Sequence, residues 1–381
     1  MIPALERFSI GILSVCVKLF QIAGFFTFAI GFDARSGMTI GDHCWNVKVW
    51  WLAQLGCSLA SAVMGHFRYH HLYAGLQATE AMNNCFKYAI GLVTVFVTLA
   101  DSWRSCEAHR SIWTHYRCLA IDRDAYLGLL SQQAVVRVAR CYGAMFLVVV
   151  ATCVMVEYQV YYGVAAGTQW YWYWLYNLYP STINRMCHMF HLFHICLMER
   201  NLRELEREIK ALGGRIGEAV LDTGAHAMCL GELRSVYTEL SGVNENINEL
   251  FGWPQAFNIS ASFVQMAFDL YWAYMMGERN EENLDVQLFC FVPAPVILGF
   301  LLYMANRYQL AVDSIGRTLL ELPCLPASAG YEPLKCYFLK QLQQTHMRLT
   351  AKNIFDFDFT LIRKFAVGIA TYVVIFIEIT R

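Results

Sequence analysis

One apolar run of the sequence carries an unusual set of polar side chains: Asn184, Arg185, His188, His191 and His194. Spacing by three puts the histidines on one slowly drifting face of a helix. A zinc ion needs three or four such ligands in tetrahedral array. No HExxH and no matching Cys/His cluster completes one, so no metal is expected and these groups read as inter-helix hydrogen-bonding partners. Two carboxylates, Glu157 and Asp269, interrupt other apolar runs and are the candidate partners of Arg185. Acids placed this way are costly unless they face inward, toward a counter-charge or a ligand. Around them stand Tyr158, Tyr161 and Tyr162, then Trp170 to Trp174 and Tyr176, then Tyr271, Trp272 and Tyr274. Such rings can box an organic molecule, with an acid pairing a cation or accepting hydroxyls; they are also the make-up of an interfacial aromatic belt. The ligand-binding candidates are Glu157, Tyr161, Trp170, Tyr173, Arg185, Asp269 and Trp272. No GxGxxG, Walker A, GxSxG or catalytic Cys/His pattern occurs, so neither an enzyme nor a cofactor is expected.

These residues must be positioned by membrane helices. Of the 381 residues, 57% are hydrophobic and 15% charged, and the mean hydropathy is +0.37. Soluble domains run closer to ~25% charged. Apolar runs long enough to cross ~30 Å of hydrocarbon recur at 47–67, 86–103, 142–163, 170–198, 257–277, 287–305 and 361–380. Each must be a helix, because an open strand leaves backbone groups unsatisfied in lipid. The expected fold is all-α and polytopic, with seven transmembrane helices. Segment 9–31 is an eighth candidate, but Glu6, Arg7 and Lys18 favour a cytoplasmic or interfacial helix, and it lacks the cleavage site of a signal peptide. The cysteines within the runs (Cys16, Cys57, Cys153, Cys187, Cys196 and Cys290) read as buried small hydrophobes, since no CxxC pair occurs. No basic tract suggests a nucleic acid.

Charge orients the chain. Twenty-one of the 29 Lys and Arg residues fall at the N-terminus and in the second, fourth and sixth connections. Only Arg68, Lys87, Arg279 and Arg381 fall on the other side, and the positive-inside rule then makes the N-terminus cytoplasmic and the C-terminus extracellular. A G-protein-coupled receptor has the opposite orientation. The cytosolic connections carry helical periodicity: Leu202, Leu205 and Ile209; Leu233 through Leu250 at near-heptad spacing; Leu334, Tyr337, Phe338, Leu342 and Leu349 after three prolines. They are expected to pack on one another and to offer an oligomeric contact surface.

In the last run Thr371, Ile375 and Glu378 share a face, with Val374 beside them. Repeated around a symmetry axis, Glu378 would form an acidic ring favouring cations; a hydrated position at the outer interface is the alternative. Thr371-Tyr372, five apolar residues Val373 to Ile377, then Glu378-Ile379 resembles the TYhhhhhQF motif that closes insect gustatory receptors, with Glu in place of Gln and Ile in place of Phe. Phe355, Phe357, Thr360 and Leu361 also resemble that family's pattern ahead of its last helix, and the seven-span plan agrees over nearly the whole chain.

The resemblance implies a tastant-gated, non-selective cation channel, a homo- or hetero-tetramer with other gustatory receptor subunits, in the plasma membrane of sensory neurons, including dendrites, axons and soma. Bitter compounds are the expected tastants. It assigns Thr371, Val374, Ile375, Glu378 and Ile379 to pore and gate, and ligand to the outer half of the bundle. Residues 1–46 would be a cytoplasmic or interfacial segment, and 47–305 would hold helices one to six with cytosolic loop 199–256. Residues 306–360 would be a cytosolic helical anchor and 361–381 the pore helix. A secondary transporter using Glu157, Arg185 and Asp269 is the alternative, although no internal repeat or Gly/Pro-broken helix marks one.

Overall fold

The computed structural model describes residues 4–33, 37–41, 45–72, 78–121, 132–160, 162, 178–218, 223–279, 284–325, 330–345 and 347–380. The chain is a polytopic helical membrane protein. Its helices are α1 (Ala4–Ile22), α2 (Trp45–Leu72), α3 (Ala78–Arg104), α4 (Cys106–Ile121), α5 (Gln132–Val160), α6 (Tyr179–Glu218), α7 (Thr223–Arg279), α8 (Leu284–Phe291), α9 (Pro293–Glu321), α10 (Tyr331–Gln344) and α11 (Thr360–Thr380). Two antiparallel hairpins, absent from the sequence expectations, accompany them: β1 (Ala29–Asp33) with β2 (Gly37–Gly41), and β3 (Thr350–Ala351) with β4 (Phe355–Asp356).

Among the described residues, five stretches are long and apolar enough to cross a bilayer: Trp45–Phe67, Cys85–Arg104, Val136–Gln159, Leu288–Glu321 and Thr360–Glu378. Residues 170–177 lie outside the described residues; from Tyr179 the expected run at 170–198 falls on α6, and that at 257–277 on α7, whose polar side chains lower their hydropathy. Those side chains are enclosed: His188, His191, His194, Gln255 and Asn258 are all buried. A helix walled in by other helices can carry groups that lipid contact would forbid. By contrast α2 exposes Trp45, Val49, Leu52, Leu59, Val63 and Phe67, a surface suited to acyl chains rather than water.

The run expected at 287–305 is two helices. Val292 separates α8 from α9, and Pro293 and Pro295 open α9, where a missing N–H costs no helical hydrogen bond. Segment 9–31 is helical over only part of its length. Its helix, α1, ends at Ile22, and the rest of the segment leaves the helix for a turn and β1. Trp50 and Gln54 of α2 donate from Nε1 and Nε2 to the Ile22 carbonyl at 2.7 and 2.9 Å, satisfying that helix end. Gly24 then turns the chain with φ +85°, and a Cβ there would press on Gln54 and Leu99 at 3.1 Å. Far from lying free at an interface, α1 buries Leu13, Cys16, Val17 and Phe20 in the bundle.

Most periodic residues of the connections expected to be cytosolic pack on one another, although Tyr337 is exposed. Leu202, Leu205, Ile209, Leu233, Val236, Leu240, Val243 and Ile247 are fully buried where α6, α7 and α9 meet. These two stripes are therefore spent within one chain, whereas Tyr337 of the third stretch is exposed, as are Leu310 and Leu320. An ion network laces this region: Glu199 accepts from Arg307 at 2.8 Å, and Glu206 accepts from Lys210 at 2.5 Å and Ser314 at 2.6 Å. Burial pushes the Glu206 carboxyl up, but the bonds from Lys210 and Ser314 outweigh it and hold the group below the usual range. One cysteine expectation fails: Cys57 is exposed on α2, and Cys153 and Cys290 are only half-buried.

Candidate functional site

Glu157 sits near the end of α5 and Arg185 one and a half turns into α6. The two helices run antiparallel, so these residues meet: Arg185 Nη1 donates to Glu157 Oε1 at 2.7 Å. Only 17% and 14% of the two side chains is exposed. This pair lies in the wall of a cavity of about 540 Å³ between α5 and α6. Phe146, Val149, Val150, Cys153 and Val154 line it from α5, and Leu178, Thr182, Met186 and Met189 from α6, with Tyr158 and Tyr162 toward one end. The volume suits a small organic molecule, and a half-open apolar groove, with Val154, Tyr158 and Tyr162 exposed along it, offers an apolar surface and one charged pair as a point of orientation.

Asp269 belongs to a different pair. It is buried on α7 and bonded to Lys87 of α3, so Arg185 does not share it. Lys87, expected at the outer surface, is therefore a bundle charge. Cys290 of α8 lies within electrostatic reach of both pairs. Trp272 stacks edge-on with Tyr271 at 5.5 Å and does not line the cavity. Tyr161, Trp170 and Tyr173 lie outside the described residues.

The polar stripe of α6 is used for packing. Asn184 donates to the Gly91 carbonyl of α3 at 3.1 Å, the inter-helix bond expected of it. His191 stacks on Phe251 at 4.6 Å and meets Phe357 edge-on at 5.0 Å. His194 packs among Phe190, Phe251 and Trp113, with His109 of α4 at 6.3 Å. Among the described residues no group of three or more His, Cys, Asp or Glu is placed to hold a metal ion. His109 is fully enclosed by Phe26, Phe28 and Trp113, and burial lowers its pKa to about 3, keeping the ring neutral.

α11 leans on α7 along one side. Phe263 of α7 meets Phe365 and Tyr372, while Phe268 and Tyr271 meet Phe376. Gly368 permits this approach, since a Cβ there would lie 2.8 Å from the Phe263 ring. The opposite side is bare: Val367 and Val374 are about 60% exposed, and Thr371, Ile375 and Glu378 are exposed too. The Thr371 hydroxyl donates back to the Val367 carbonyl at 2.8 Å. Of the five pore candidates, four thus lie on the uncovered side or its flank. The Ile379 side chain is outside the described residues.

The sequence expectations missed Asn244 and Asn248. Both reach from α7 to the main chain at 348–350, just ahead of α11. Their signal is the run NENIN at 244–248, three weak helix formers in the interior of a 57-residue helix.

A family profile described as 7tm Chemosensory receptor matches residues 13–380. No curated protein matches the chain in sequence. Among solved structures, that of the insect olfactory receptor OR5 from Machilis hrabei aligns with a TM-score of 0.64 at 10% identity, over 96% of this chain and 97% of that one. The same receptor in complex with eugenol aligns with a TM-score of 0.57 at 10% identity, over 98% of both chains. At such identity the likeness is one of fold.

Proposed function

This chain belongs to the 7tm chemosensory receptor family, and we propose that within it the chain is a gustatory-type, ligand-gated, non-selective cation channel. The observation that carries this reading is the bare side of α11. Thr371 and Glu378 stand there among Val367, Val374 and Ile375, and a carboxylate on that side is costly against lipid but stable facing water. Four copies around an axis turn the same side into a pore wall. Glu378 then forms a ring of acid near the outer mouth, with Ile379 beside it, which favours cations.

In this account seven helices cross the membrane with the N-terminus inside, which the sorting of basic residues supports. Segment 306–360 anchors the pore helix 361–381 on the cytosolic side, and 1–46 lies with the remaining helices of 47–305. The ligand occupies the groove between α5 and α6, oriented by Glu157 and Arg185. A small organic tastant, bitter compounds foremost, fits its apolar lining, and the matched receptor's complex with eugenol is in keeping with a ligand of that size. Binding opens the channel by favouring the open state over the closed one. Sensory neurons are the corresponding place of expression, and copies of this chain or of related subunits the corresponding partners.

Whole-cell recording with a tastant panel tests this. Cation currents that persist with G-protein signalling blocked are expected; currents that vanish under that block would overturn the channel reading. A transporter would need Glu157, Arg185 and Asp269 as exchangeable charges. Their pairing within the bundle favours a fixed role instead.

A further inference from the structure

The link between α10 and α11 is half-buried and barely folded. Met347, Leu349 and Ala351 are enclosed, yet β3 pairs with β4 only at Thr350–Asp356 and Ala351–Phe355. Backbone groups in such a place need partners, and the ladder is too short to supply them. Side chains of α7 do so instead. Asn248 Nδ2 donates to the Arg348 carbonyl at 2.7 Å, and Asn248 Oδ1 accepts from the Thr350 N–H at 3.0 Å. One carboxamide thus meets a donor and an acceptor of the link, as a neighbouring strand would. Asn244, one turn earlier, donates to the same carbonyl at 3.3 Å and accepts from Tyr308 Oη of α9 at 2.8 Å. Beyond this grip the chain turns through Lys352 and Asn353, both with positive φ, and the Lys352 stem lies over Gly252 of α7, leaving no room for a Cβ there.

We propose that Asn248, supported by Asn244 and Tyr308, is a positioning residue that pins the base of the pore helix to α7 and so sets the balance between its closed and open placements. The pin fixes residues 348–350, and α11 moves relative to that fixed point. The carboxamide of Asn248 reaches both link atoms from the helix face, and that of Asn244 reaches one. The gating half of the proposal rests on the channel reading; the pin itself does not.

The test compares full-length wild type with Asn248→Leu, Asn248→Asp and Asn246→Leu. Asn246 bonds Ser111 of α4 at 3.2 Å and does not touch the link, so it serves as the control. Amide hydrogen exchange at Thr350 is expected to speed up about tenfold or more in Asn248→Leu, as two hydrogen bonds are lost. Exchange at Leu240 and Leu250 should be unchanged, and the control should behave as wild type at Thr350. In recordings, the ratio of unliganded to maximal current should shift severalfold in Asn248→Leu. Asn248→Asp, which keeps the acceptor but not the donor, should fall between. Lost folding alone would lower total current without moving that ratio. Unchanged exchange at Thr350 overturns the pin, and faster exchange with an unchanged ratio overturns its role in gating. If wild type itself passes no current, the channel reading fails, and the exchange comparison still decides whether the pin exists.

Discussion

The Glu157–Arg185 pair is a charged contact set in an apolar wall. Arg185→Ala and Glu157→Gln should each destabilise the fold, and the double variant should cost less than the sum of the two by about 1 kcal/mol or more. Thermal unfolding of the purified protein in detergent, run as a double-mutant cycle, checks this. His109 gives a second prediction, with a sign set by burial. The unfolded chain takes up a proton below about 6.5, whereas the folded imidazole stays neutral down to about 3. Its contribution is thus present above pH 6.5 and is lost progressively as pH falls from there toward 3, amounting to about 2 kcal/mol at pH 5. His109→Phe should remove this part of the acid sensitivity, measured as the difference in unfolding between pH 7.5 and pH 5. At this scale the sequence showed which groups were out of place in an apolar run, but not their partners. Arg185 was open to Glu157 or Asp269, and the choice depends on how α5 and α6 are set, with Lys87 arriving from α3 to take Asp269. Spacing within one helix carries no such information.

The most legible element was α11. Its residues recur at helical period, and the side bearing Thr371, Val374 and Glu378 is the one that turns from α7. The inverse holds for the cytosolic helices: their apolar stripes were evident, but whether a stripe meets another stripe of the same chain or of a second copy is not written in periodicity. Leu205 and Leu240 turned out to be interior. The run at 287–305 hid a break at Val292, although Pro293 and Pro295 were in view, because hydropathy is blind to a missing N–H. Phe263 is one of the contacts on which α11 rests, beside Phe268 and Tyr271. Phe263→Ala should free Gly368, Phe365 and Tyr372 from their main support, costing about 3 kcal/mol if the site cannot collapse. Cross-linking of cysteines placed at positions 263 and 368 reads the approach directly, and failure to cross-link in the resting protein would contradict it.

For the whole molecule, composition alone was enough for a bilayer-embedded helical bundle, and the lopsided distribution of Lys and Arg proposes its orientation. An epitope tag after Arg381 should be accessible on unpermeabilised cells; a tag reached only after permeabilisation would reverse the topology. A helix in the first segment was foreseen but its end at Ile22, met by Trp50 and Gln54, was not, and neither were the hairpins, the second of which is held by the asparagines of α7. The central claim is that the bare side of α11 lines a cation pathway. Single-channel recording of purified protein in planar bilayers under a salt gradient tests it most directly, comparing wild type with Glu378→Gln and Glu378→Lys. A ring of carboxylates at the pore predicts ligand-evoked, cation-selective openings whose conductance falls in Glu378→Gln and falls further in Glu378→Lys. Conductance and selectivity identical in all three proteins would place Glu378 outside the ion path and contradict the account.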